Sequence, residues 1–112
     1  MNTHHSLNYI EFGAKDLGAI KAFYSAVFGW EFTDFGPDYV AFKDADEREG
    51  EFTTDRVVGG GPLVVLFSER LEETKALVEK HGGTTQDIYA FPGGQRFLFT
   101  DPSGNELAVW SE

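Results

Sequence analysis

The chain contains no cysteine. That excludes a disulfide framework, a thiolate nucleophile and any cysteine-ligated zinc. Bases are scarce: nine Lys and Arg stand against nineteen Asp and Glu, giving a formal net charge of −10. The basic footprint that nucleic acid requires is missing, as is the positive surface that binds anionic membranes. No apolar run approaches a membrane span and no charged-then-apolar leader opens the sequence, so the cytoplasm is the expected location. Histidine is sparse as well, with three in the chain. His4 and His5 belong to the polar stretch Met1–His5, expected to be a frayed end on which adjacent side chains point apart. His81 falls at a helix end, where a cationic group complements the dipole. No Ser/His/Asp arrangement is visible.

What the chain does have is core material. Of its 112 residues, 41% are hydrophobic and eleven are Phe. That suits one domain with a modest single core and is unlike a disordered tail. The excess of acid serves solubility first, and it favours a neutral or cationic small ligand over an anionic one.

Leu7 to Phe12 reads as a strand. Asp16 is an N-cap, and Leu17, Ile20, Phe23, Tyr24, Val27 and Phe28 then fall at helical spacing up to Gly29, a C′ stop. Trp30 to Phe35 alternates as a strand, Gly36-Pro37-Asp38 turns, and Tyr39 to Phe42 is a third strand. Asp44 to Gly50 reads as a charged, solvated hairpin loop whose acids faintly resemble a calcium loop, but Glu49 stands where such a loop needs Gly. Glu51 to Arg56 reads as a fourth, edge-like strand. Gly59-Gly60-Gly61-Pro62 is a linker and not a phosphate cradle, because no helix follows directly.

The pattern then restarts. Leu63 to Phe67 is a strong strand. Ser68 is an N-cap candidate for a helix through Leu71, Thr74, Leu77, Val78 and His81, ended by Gly82-Gly83. Thr85 to Tyr89 is a strand, Pro92-Gly93-Gly94 a turn, and Arg96 to Thr100 another strand. Asp101-Pro102-Ser103-Gly104 is a β-turn, and Asn105 to Trp110 closes the chain. Leu17, Lys21, Ala22 and Gly29 recur as Leu71, Lys75, Ala76 and Gly83 at an offset of 71 − 17 = 54. The chain is therefore expected to be two βαβββ modules in one domain, residues 1–57 and 62–112 joined by a linker at 58–61. Neither module covers its sheet alone, so the pair must share a core.

The runs Asp16-Leu17 and Ala22-Phe23-Tyr24-Ser25-Ala26-Val27-Phe28-Gly29-Trp30, with the closing Phe99-Thr100-Asp101-Pro102-Ser103-Gly104-Asn105-Glu106-Leu107, resemble the vicinal oxygen chelate superfamily. That superfamily includes glyoxalase I, bleomycin- and fosfomycin-resistance proteins and extradiol dioxygenases. The resemblance implies an α+β fold: a curved, eight-stranded mixed sheet with helices outside and a ligand cleft inside, usually as a homodimer. In metal-using members three or four His, Gln or Glu side chains bind the ion. Carried over, the first-strand ligand falls on Tyr9, its counterpart 54 residues later on Leu63, and the last-strand glutamate on Ala108. The remaining position falls near Thr54, with Glu51 close by. Leucine and alanine carry no donor atoms, and a neutral tyrosine is a poor ligand. No metal and no other cofactor is expected.

Alternation sends Tyr9 and Glu11 to one face of the first strand, and Glu106, Ala108 and Trp110 to one face of the last. Leu63, Val65 and Phe67 share a face of the fifth. The expected product is a small-molecule-binding protein of the glyoxalase/bleomycin-resistance type. Tyr9, Trp30, Phe67 and Trp110 would be the walls of an apolar-aromatic cleft, and Glu11 and Glu106 its acidic points. Its ligand would be an aromatic or cationic small molecule. The competing readings are a metal-dependent lyase, isomerase or dioxygenase, a metal-free catalyst using Glu11 or Glu106 as base, and a scaffold with a filled cleft.

Overall fold

The structure, a computed structural model, describes residues 3–112. The expected α+β architecture is present as two helices and nine strands in two mixed sheets. The first sheet holds β1 (Ile10–Gly13), β2 (Glu31–Asp34), β3 (Tyr39–Lys43) and β4 (Glu49–Thr53), in the spatial order β1-β4-β3-β2. The second holds β5 (Val64–Phe67), β6 (Thr84–Thr85), β7 (Tyr89–Phe91), β8 (Gly94–Thr100) and β9 (Glu106–Ser111), with β5-β9-β8 in line and β6 and β7 both on β8. In each sheet the first strand pairs in parallel with the last and every other pairing is antiparallel. β1 and β5 begin 64 − 10 = 54 residues apart, and α1 (Leu17–Phe28) and α2 (Leu71–Lys80) begin 71 − 17 = 54 apart. The repeat seen in four identities is thus a repeat of backbone.

The expected single strand from Thr85 to Tyr89 is two short ones, which takes the count from eight strands to nine. The fourth strand is also displaced. It starts inside the expected charged loop, at Glu49, and is not an edge: β4 lies between β1 and β3. Gly50 explains why this polar stretch is sheet. A β-carbon there would meet the Ile10 carbonyl oxygen at 2.4 Å and the Phe42 ring at 2.4 Å. Only glycine lets β1 and the Phe42 ring close over that point. The loop shrinks to Asp44–Arg48, where the Asp44 carboxylate accepts from the Asp46 and Arg48 backbone N–H groups at 2.9 and 2.8 Å.

Helix α1 follows its sequence signals. The Asp16 carboxylate accepts from the Ala19 N–H at 3.1 Å, and Gly29 adopts the left-handed conformation, φ 71°. Ser68 does not cap α2. The N-cap is Arg70, with no side-chain cap bond. The Ser68 hydroxyl instead accepts from the Arg70 N–H at 3.0 Å and bonds the Thr74 hydroxyl at 2.7 Å. His81 is the C-cap as expected. Of the expected frayed end, Met1 and Asn2 lie outside the described residues; Thr3 to Ser6 makes a turn in which the His4 and His5 rings stack at 3.8 Å instead of pointing apart.

The core sits between the sheets and the helices. It joins Ile20, Phe23 and Tyr24 of α1 to Phe52 of the first sheet and Phe97, Phe99, Leu107 and Val109 of the second. Both sheets thus give one face to the shared core.

Candidate small-molecule site

Strand register decides which side chains share the free faces. In the first sheet Glu11 pairs with Glu51 and Glu51 with Ala41, while Phe12 pairs with Phe52 on the core side. In the second, Val65 pairs with Ala108 and Phe67 with Trp110, while Leu66 and Val109 turn to the core.

The residues expected at the site do not converge on one point. Tyr9, 43% exposed, donates its hydroxyl to Glu51 Oε1 at 3.2 Å. Burial, then the Glu51 hydrogen bond, then the Glu51 and Glu11 charges, push the Tyr9 phenol up to about 12. Glu11 pairs with Arg56 at 3.5 Å, an exposed contact of small energetic value. Glu11 and Glu106 come together in a cavity of about 600 Å³, walled by Leu7, Ile10, Leu63 and the 59–62 linker. Phe67 and Trp110 lie elsewhere on the second sheet, ring to ring at 5.1 Å. Beside them Val65, Phe91, Pro92, Gly93, Arg96 and Trp110 line a second cavity of about 330 Å³. Trp30 belongs to neither. It is 6% exposed, stacked on Tyr24 at 4.6 Å and on Phe42 at 4.4 Å. The Gly29 stop turns the chain so that Trp30 folds back over α1, and its expected place in the cleft wall is corrected to the core.

Glu11 pairs with Glu51, and Val65, at 65 − 11 = 54, pairs with Ala108. Glu51 therefore occupies in the first sheet the place of Ala108 in the second. Thr54 lies beyond the end of β4, its N–H donating to the Asp38 carbonyl at 2.9 Å. The equivalent positions are thus Tyr9, Glu51, Leu63 and Ala108. One carboxylate stands among them, and it already accepts from Tyr9. Among the described residues no group of three or more His, Cys, Asp or Glu is placed to hold a metal ion. This residue chemistry does not fit a catalytic divalent ion.

Two residues were not singled out from the sequence. Arg96 is cross-strand neighbour of both Trp110 and Tyr89. The tight turn was the available signal: it pairs Thr100 with Glu106, and counting four residues outward on each side brings Arg96 to Trp110. Phe91, whose ring meets Trp110 at 6.1 Å, is set by the Pro92-Gly93 turn that follows it.

The polar cluster at that turn has a structural task. Asp101 Oδ1 accepts from the backbone N–H groups of Ser103, Gly104 and Asn105, at 2.9, 3.0 and 3.0 Å. Asn105 Nδ2 reaches across to the Gly13 carbonyl at 2.8 Å, and the Lys15 N–H donates to the Ser103 hydroxyl at 3.0 Å. The closing motif therefore pins the first module to the second directly behind the 600 Å³ cavity, whose lining includes Gly13 and Asn105.

The family model described as "Glyoxalase/Bleomycin resistance protein/Dioxygenase superfamily" matches residues 6–109. No curated protein is similar enough in sequence to match. Among solved structures, the fosfomycin resistance protein FosX from Mesorhizobium loti superimposes with a TM-score of 0.80 at 12% identity, covering 98% of this chain and 94% of its own. TnmS3, an antibiotic binding protein from Streptomyces sp. CB03234, gives 0.79 at 15% identity, covering 98% of both chains. A glyoxalase-related enzyme from Fulvimarina pelagi gives 0.76 at 22% identity, covering 96% of this chain and 88% of its own. At these identities the likeness is one of fold.

Proposed function

The chain belongs to the glyoxalase/bleomycin resistance protein/dioxygenase superfamily, whose fold hosts several chemistries, and we propose that this member is a metal-free small-molecule-binding protein. The observation that carries the reading is the free face of the second sheet. Phe67 is 49% exposed there against Trp110, beside a ready-made cavity, where a sheet needing only to be covered would have buried its rings. Glu11 and Glu106 add a separate cavity, shared with Arg56, able to hold a cationic or hydrogen-bonding group at Glu106, while Tyr9 stands outside its lining, bonded to Glu51. Support for binding over metal chemistry comes from Leu63 and Ala108, which cannot donate to an ion at all.

The protein acts as a homodimer in this reading. Among the described residues β1 pairs only with β4 and β5 only with β9, so each sheet ends in an edge strand able to receive a partner. No helix among the described residues is long and apolar enough to cross a membrane.

Two measurements test the proposal. Metal analysis of the purified protein should find no stoichiometric nickel, zinc, iron or manganese, and chelators should leave the Tm unchanged. A panel of small aromatic compounds should raise the Tm, since a ligand at a hundredfold excess over Kd adds about 2.7 kcal/mol. A stoichiometric ion whose removal lowers the Tm overturns the reading in favour of a metal-dependent lyase, isomerase or dioxygenase. No response to any compound points to a scaffold.

A further inference from the structure

The register of the second sheet lines up four side chains in one row. Phe67 stands beside Trp110, Trp110 beside Arg96, and Arg96 beside Tyr89. Residues in one row share a face, so the row presents three rings and one guanidinium to the same side. Trp110 is its floor. Phe67 stands at 68° to the indole on the β5 side, and Phe91 at 67° on the β7 side. Two walls on opposite sides of a flat floor make a slot for a planar ring.

Arg96 gives the slot its charge. Its guanidinium carbon lies 5.3 Å from the Tyr89 ring centroid and 5.8 Å from that of Phe91, and its Nε donates to the Tyr89 hydroxyl. No carboxylate forms an ion pair with it among the described residues; Lys15, Lys43, Arg70 and Lys80 also lack one but are exposed, whereas the other half-buried bases, Lys21 and Lys75, each have one. Arg96 is thus a half-buried guanidinium left without an ion pair in a chain with ten more acids than bases. The Tyr89 hydrogen bond and the two neighbouring rings hold the fork and strip part of its hydration, and both effects strengthen a bidentate bond to an oxyanion.

We propose that this slot binds an aromatic carboxylate, its ring on Trp110 and its carboxylate on the terminal amino groups of Arg96. The inference rests on the small-molecule reading above and specifies the ligand. It reverses the charge expected at Phe67 and Trp110, because the acids once placed beside these rings, Glu11 and Glu106, line the other cavity.

The test compares three probes of one shape: 2-naphthoate, 2-naphthamide and 2-naphthylmethylammonium. Binding is measured by calorimetry and by Trp110 fluorescence. Naphthoate should bind at least tenfold more tightly than the amide, and the ammonium probe most weakly. Arg96→Met should erase the naphthoate preference over the amide. Arg96→Lys, which keeps the charge and loses the fork, should retain only part of it. Trp110→Ala should weaken all three. A naphthoate preference that is absent, or that survives in Arg96→Met, overturns the anion assignment and leaves the binding reading standing. A preference for the ammonium probe does the same. Failure of all three probes to bind the intact protein sinks both.

Discussion

The Tyr24 hydroxyl donates to Asp101 Oδ2 at 2.9 Å, joining the first helix to the turn before the last strand, 77 positions away. Both residues are buried. Burial, then the Asp101 charge, pushes the Tyr24 phenol well above its ordinary value, so it stays a neutral donor. Tyr24→Phe removes one of the five donors on Asp101 and should cost about 1–2 kcal/mol. Asp101→Ala takes the carboxylate from all five, leaving the Gly104 N–H its bond to the Asp101 carbonyl and Asn105 Nδ2 its bond to Gly13, and should cost roughly 3 kcal/mol or more. Urea unfolding reads both costs. Because the bond crosses the modules, we expect a single transition in each variant. Two separate transitions would show modules that fold alone.

Gly50 should tolerate no side chain. The methyl of Gly50→Ala meets the Ile10 carbonyl oxygen, which is backbone and cannot swing away, and the Phe42 ring, which is held by Trp30. Overpacking of this kind costs about 1–3 kcal/mol. A drop in the urea midpoint with an unchanged slope is the expected result. A variant as stable as the parent would mean that β1 and β4 are not in contact there.

The two tryptophans should separate stability from binding. Trp30→Ala empties a buried site stacked on Tyr24 and Phe42 and should cost about 3–5 kcal/mol. Trp110 is only partly buried, so Trp110→Ala should cost less while removing most affinity for aromatic probes. In the Trp30 variant, kept below its melting temperature, probe affinity should hold within about twofold of the parent. A large loss of affinity there would return Trp30 to the site.

These contrasts show why the fold was more legible than the site. Helix α1 carries its own start and stop, Asp16 and Gly29, which act within one turn of the chain. The 54-residue repeat is likewise local pattern written twice. Trp30 was misplaced because a strand's alternation names two faces without saying which is covered. Here the covered face is the one α1 packs on. The fourth strand was hidden because Glu49-Gly50-Glu51 looks like solvent-facing loop, and its reason for pairing, the approach of Ile10 and Phe42, is made by residues distant in sequence. Ser68 has the chemistry of a cap but stands two residues too early. Arg96 was overlooked because a lone arginine in a strand has no local mark. Its meaning comes from Trp110 and Tyr89 on neighbouring strands.

Tyr9 supplies a prediction in pH. Its folded-state value of about 12 lies above the ordinary 10.0. The fold therefore favours the protonated phenol. That contribution is fully present below pH 10 and is lost as pH rises from 10 through 12, because the unfolded chain ionises first. Ultraviolet absorbance of the phenolate during a pH titration should show Tyr9 ionising late, and Tyr9→Phe should remove that phase, leaving Tyr24 as the other tyrosine shifted upward. Glu51→Gln deletes the nearby charge but leaves the burial, which is the larger cause, so the value should fall only part of the way back toward 10. A complete return would make the carboxylate the dominant influence. No change at all would mean that the Tyr9–Glu51 bond does not form.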